Sequence, residues 1–285
     1  MYLKKRLFAG LLELALLCTL FSGCAARKAE RYDVLASTAP VRAMTAALLD
    51  GTDLSCGLVV TESVSCLHDY TLTVSQMEMI EQSGLVLESG LGLENFMEDV
   101  LRGKTRIDIS RNLDTLPGED GADPHWWLDP MRYKQAAELA AQELGAQYPE
   151  FADQISENLA AFCEKLSSLQ DYGEQALSDL SCRQLVTFHD GFSYFADAFS
   201  LTIAAAMEVE SGSEPSAKEL EEIISIVEEN QIPAVFTEVN GETGAAEVVA
   251  GEAGCAVRTL DMAISNRDYF AAMRQNIDIV KEALG

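Results

Sequence analysis

The 285 residues contain three histidines, His68, His125 and His189, each in a polar stretch downstream of an apolar, β-branched run. Imidazole suits Zn2+ or Mn2+, and a four-coordinate ion needs one further donor. Asp261 in CAVRTLDMA, one residue past another such run, is the best-placed carboxylate, although its local context also suits a helix N-cap. The histidines lie 57 and 64 residues apart, so no small finger-type unit can supply them. Convergence from separate strand ends fits that spacing, because open parallel sheets bind ligands at the carboxyl edge of their strands.

His125 lies in DPHWWLDP, directly before both tryptophans of the chain. Pro124 and Pro130 favour extended backbone at the residues before them, and two large aromatics pack the loop and keep water from the imidazole. Asp123, Asp129 and Asp190 are acidic neighbours that could orient a ligand imidazole through its second ring nitrogen; the sequence does not rank them. Glu62 and Glu238 could serve as bases toward a metal-bound water. Against that role, a set of three histidines and one aspartate leaves no open position on the ion. SGLGLENF lacks the third glycine of a dinucleotide fingerprint, and the chain has no P-loop, G-x-S-x-G or H-E-x-x-H.

The elements that must position these residues alternate. The β-rich runs YDVLAST, LSCGLVV, GLVLES and TRIDIS are separated by helical patterns near 40–50, 73–83 and 93–102. A second set, QLVTFH, LTIAAAME, PAVFTE and CAVRTL, is separated by helical runs near 192–199, 216–230 and 242–253, with a last helix near 268–284. This predicts an α/β fold of two βα lobes with mainly parallel sheets. Pro40 suits a first helical turn, and Ser216 with Glu219 forms a capping box. Phe151, Ile155, Leu159, Phe162, Leu166 and Leu169 recur every three or four residues, which predicts a helix over about 150–178. At about 1.5 Å per residue it would be roughly 40 Å long, a rigid strut joining the lobes. RNLDTLPGEDGAD reads as a loop.

A net charge of −26 and a pI near 4.3 argue against nucleic acid or an anionic membrane face as partner. Lys4, Lys5 and Arg6, the apolar run LFAGLLELALLCTLF and Ser22-Gly23-Cys24 have the layout of a secretion signal. LFSGC resembles the lipobox of bacterial lipoproteins, which implies a lipid anchor at Cys24. The expected division is a signal peptide over 1–23, a tether over 24–31, an N-terminal lobe over 32–147, a linking helix over 148–180 and a C-terminal lobe over 181–285. Cys56, Cys66, Cys163, Cys182 and Cys255 show no C-x-x-C spacing, so a zinc ribbon or redox pair is excluded. A Cys56–Cys66 bridge is open to an exported chain.

Taken in order, ASTAP, CLHDY, SGLGLENF, DPHWWLDP, VTFHDGFSYFADAF, EPSAKELEEII, FTEVN and the Asp261 segment resemble the zinc- and manganese-binding solute-binding lipoproteins of bacterial ABC importers. The likeness runs from about Val34 to Leu284. It implies two α/β lobes bridged by one long helix, with a metal held at their interface by His68, His125, His189 and Asp261. It further implies a monomer, lipid-anchored outside the cytoplasm on the bacterial cell membrane, that delivers the ion to an ABC permease and is not an enzyme. In that family a histidine at the third position accompanies zinc and a glutamate manganese, so His189 favours Zn2+ over Mn2+. Two departures bear on this: the loop before His125 has acids and no histidine, and Cys66 precedes His68 where the family has a proline-rich approach. A zinc-dependent hydrolase with an open three-histidine site and a metal-stabilised adhesin are the alternatives outside transport.

Overall fold

The computed structural model describes residues 31–61, 70–118, 121–207, 215–239, 241–264 and 268–285. The expected signal peptide and the expected lipidation site Cys24, with His68, Glu62 and Cys66, lie outside the described residues. Strands β1 (Val34–Ala36), β2 (Cys56–Leu58), β3 (Leu85–Glu88) and β4 (Arg106–Asp108) form one parallel sheet in the order β2-β1-β3-β4. The helices α1 (Ala39–Leu48), α2 (Val74–Gln82) and the short α3 (Glu98–Leu101) connect them. Two residues on each side, β5 (Pro117–Gly118) and β6 (Gly121–Ala122), then pair antiparallel. The stretch expected to be a loop is therefore a small hairpin.

The second sheet holds β7 (Gln184–Thr187), β8 (Thr202–Ala206), β9 (Ala234–Glu238) and β10 (Ala256–Leu260), all parallel, in the order β10-β9-β7-β8. Its helices are α6 (Ser193–Ala198), α7 (Ala217–Glu229), α8 (Gly244–Ala253) and α9 (Tyr269–Leu284). The Ser216–Glu219 capping box forms as expected, and a second one, Thr73 with Gln76, opens α2. Between the sheets run α4 (Pro130–Gln147) and α5 (Ala152–Ala176). The latter is the strut that the apolar stripe predicts, with a 3-10 turn over Pro149–Phe151 leading into it. Gly173 admits the ring of Phe199 so closely that a Cβ there would stand 2.2 Å from it.

Helix α4 is not foreseen from apolar periodicity, because its buried face is largely alanine: Ala136, Ala137, Ala140 and Ala141. Small side chains make a weak apolar stripe yet let two helices pack closely. Its start is nonetheless written in Asp129-Pro130: Asp129 accepts from the amides of Met131 and Arg132, and Pro130 needs no amide partner in the first turn.

Strand side chains alternate between faces, and here that alternation sorts them into separate cores. Val34, Ala36, Leu85 and Leu87 join a large central cluster, while Leu35 and Val86 fill a smaller one on the outer face. In the second sheet Ala234 and Phe236 face the central cluster, and Val235 faces a third. The central cluster is continuous from one sheet to the other through Trp126, Trp127 and Tyr133. Residues Arg31–Gly285 consequently form one compact unit carrying two lobes.

Candidate metal centre

Strand β7 ends at Thr187, and Phe188 still donates to the carbonyl of Phe236 on β9, 2.8 Å away. His189 thus follows directly from the carboxyl edge of the second sheet. There it meets His125 from the loop preceding α4: the ring centroids are 5.4 Å apart and nearly perpendicular. Two imidazoles separated by 64 residues are brought together at this edge.

Asp123 orients the first of them. Its Oδ1 accepts from the backbone amide of His125 at 2.8 Å and lies 2.8 Å from His125 Nδ1, which leaves Nε2 as the nitrogen to face a ligand. Asp129 takes a different role. It caps α4 and pairs with Arg132, so the expectation that it could orient an imidazole is corrected here. Asp190 lies half-buried beside His189.

Glu238 ends β9 and is 5% exposed. Its Oε1 stands 4.0 Å from His189 Nδ1, behind the ring, and burial pushes its carboxyl up to about 7. Gly191 leaves room on the other side. A Cβ there would come within 2.9 Å of His189 Nε2 and 2.5 Å of the Met262 methyl, so any side chain would crowd the approach to the imidazole.

Asp261 follows β10, is buried, and sits in register beyond the Leu260–Glu238 pair. Its Oδ1 accepts from the Ala263 amide, and Asn276 clamps its backbone from both sides, accepting from its amide and donating to its carbonyl. Among the described residues, no three of histidine, cysteine, aspartate or glutamate form a group that could hold an ion. Of the four predicted donors, His125 and His189 meet, Asp261 follows β10, two strands across the sheet from β7, and His68 lies outside the described residues. Cys56, Cys163, Cys182 and Cys255 are free thiols.

The two tryptophans pin the loop that carries His125. Both are buried, and they point opposite ways: Trp126 Nε1 donates to the carbonyl of Ser89 after β3, and Trp127 Nε1 to that of Met262 after β10. Tyr269 of α9 donates in turn to the Trp127 carbonyl at 2.8 Å. Sequence reasoning did not single out Gly191, Tyr194, Met262 or Tyr269. The aromatic spacing in HDGFSYF was the available signal for Tyr194.

A family model described as zinc-uptake complex component A, periplasmic, matches residues 34–283. The zinc-binding lipoprotein AdcA of Streptococcus pneumoniae is 30% identical over 177 residues, which is 58% of this chain and 35% of that protein. The manganese-binding lipoprotein MntA of Halalkalibacterium halodurans is 25% identical over 194 residues, 66% of this chain and 65% of that one. The matched stretch therefore spans about a third of the first relative and just under two thirds of the second. A crystal structure of ZnuA superposes with a TM-score of 0.80 at 27% identity, covering 90% of this chain and 100% of the other. The chain belongs to the family of periplasmic zinc-uptake complex component A.

Proposed function

We propose that this chain is an extracytoplasmic solute-binding protein that captures a divalent metal ion, zinc in preference to manganese, and hands it to an ABC permease. His125, His189 and Asp261 would hold the ion together with His68. Attachment to the cell membrane would be through lipid on Cys24; among the described residues no helix is long and apolar enough to cross a bilayer. The observation that carries the reading is the approach of His125 to His189 at the carboxyl edge of the second sheet, with Asp123 turned onto one ring. Two neutral nitrogen donors with an adjacent carboxylate suit zinc, and a third imidazole in place of a glutamate favours it over manganese.

The chemistry is capture, not turnover. Glu238 stands on the Nδ1 side of His189, where it can steady the ring but is badly placed to take a proton from a water on Nε2. Binding requires deprotonated imidazoles, so affinity falls as protons compete with the ion at acid pH. The deciding measurement is the metal content of protein purified without added metal, set beside His125→Ala and Asp261→Ala. The wild type is expected to retain about one zinc per chain and each variant much less; equal metal in all three would remove the site.

A further inference from the structure

We infer that Tyr194 is a positioning residue through which the C-terminal lobe sets the orientation of His125. The inference rests on the reading of His125 as a metal ligand. The hairpin β5-β6 leads into His125, and its last rung is Leu116 opposite Asp123. One bond of that rung is made in the ordinary way, from the Asp123 amide to the Leu116 carbonyl at 2.9 Å. The reciprocal groups are served by a hydroxyl instead. The Leu116 amide donates to the Tyr194 oxygen at 3.0 Å, and the Tyr194 hydroxyl donates to the Asp123 carbonyl at 2.9 Å.

Tyr194 belongs to α6, immediately after His189 in the second lobe, and is fully buried. Its ring is fixed by the Arg132 guanidinium, 5.0 Å from the centroid; Arg132 in turn bonds Asp197 of the same helix and the Asp114 carbonyl. One phenol thus closes the hairpin of the first lobe from the helix of the second. The residue it grips, Asp123, is the one whose carboxylate holds His125 Nδ1. A ligand nominally carried by one lobe is mounted on the other, 71 residues along the chain. Bonds within the protein that fix the ring reduce the cost of ordering it at binding.

Tyr194→Phe keeps the ring and removes the hydroxyl. Zinc affinity is read by chelator competition in full-length protein, and amide hydrogen exchange at Leu116 is followed without metal. The expected result is a loss of about ten-fold in zinc affinity, as for other partners that orient a ligand imidazole, with faster exchange at Leu116 and a lowered urea midpoint, because the Leu116 amide and Asp123 carbonyl lose their partner. The cycle with Asp123→Ala separates positioning from general loosening. Once the carboxylate that holds the imidazole is gone, Tyr194→Phe should cost less than about two-fold more, because coupled residues are non-additive. Equal losses in both backgrounds, or no loss in either, overturn the inference and leave the ligand set standing. Unchanged zinc binding in His125→Ala removes the ligand set itself, and the inference with it.

Discussion

The carboxyl edges of the two sheets face the same physical problem and answer it differently. In the first sheet Glu88 ends β3 and Asp108 ends β4, with Glu94 and Glu98 just beyond, around a cavity of about 250 Å³. That cluster carries its own cation: Arg106 bonds Glu88 at 3.0 Å and Glu98 at 2.7 Å. Glu94 is satisfied by the amides of Ser89 and Gly90. In the second sheet Glu238 ends β9 with its Oε2 buried and unbonded among the described residues, and His125, Asp123 and His189 stand close by. No lysine or arginine pairs with Asp123 or Glu238 among the described residues. Each edge keeps one buried carboxylate oxygen without a hydrogen bond among the described residues, Glu88 Oε1 in the first and Glu238 Oε2 in the second; the difference is that the first places a guanidinium beside its carboxylates and the second places imidazoles.

The sharpest way to break this comparison is His125→Ala, expected to cost at least about a hundred-fold in zinc affinity, more than loss of a group that merely orients it. Arg106→Ala should leave zinc binding intact. It should lower the stability of metal-free protein by about 1–2 kcal/mol in urea, because buried Glu88 loses its partner; the cost is below that of a sealed pair since Arg106 is 36% exposed. If Arg106→Ala weakened zinc binding as much as His125→Ala, the two edges would not be distinct.

Next in size is a pH effect, which at the first edge comes from Glu94. Burial raises the Glu94 carboxyl from 4.5 to about 7, so between these values the folded chain holds a proton that the unfolded chain has released. Its contribution is fully present below about 4.5, declines as pH rises to about 7, and is flat above. Urea midpoints from pH 5 to pH 8 should fall more steeply for the wild type than for Glu94→Gln. The smallest effect is expected from Glu98→Ala: this second partner of Arg106 is 57% exposed, and its removal should change stability by less than about 0.5 kcal/mol in the same assay.

How much of the site was legible is clearest in Asp123 and Asp129. Both precede a proline in one eight-residue stretch, and nothing local separates them. Asp123 turns onto His125, while Asp129 starts a helix that alanine-rich packing had disguised. The difference lies downstream of each proline: a 3-10 turn over Trp126–Leu128 in one case and eighteen helical residues in the other. The strands and the long strut were readable because β-branched runs and a three-to-four spacing are strong local signals. Tyr194 was not, because its two bonds go to residues 71 and 78 positions away.

By itself the sequence determined the class of fold, the strands, the capped helix starts and the types of donor available, since these depend on periodicities and hydrogen bonds spanning a few residues. Tertiary structure alone decided which donors meet. The carbonyls of Ser89 and Met262 that receive the two tryptophans, and the phenol that closes the hairpin before His125, come from remote segments. They are neighbours only because two sheets share one core, and no local interaction encodes that juxtaposition.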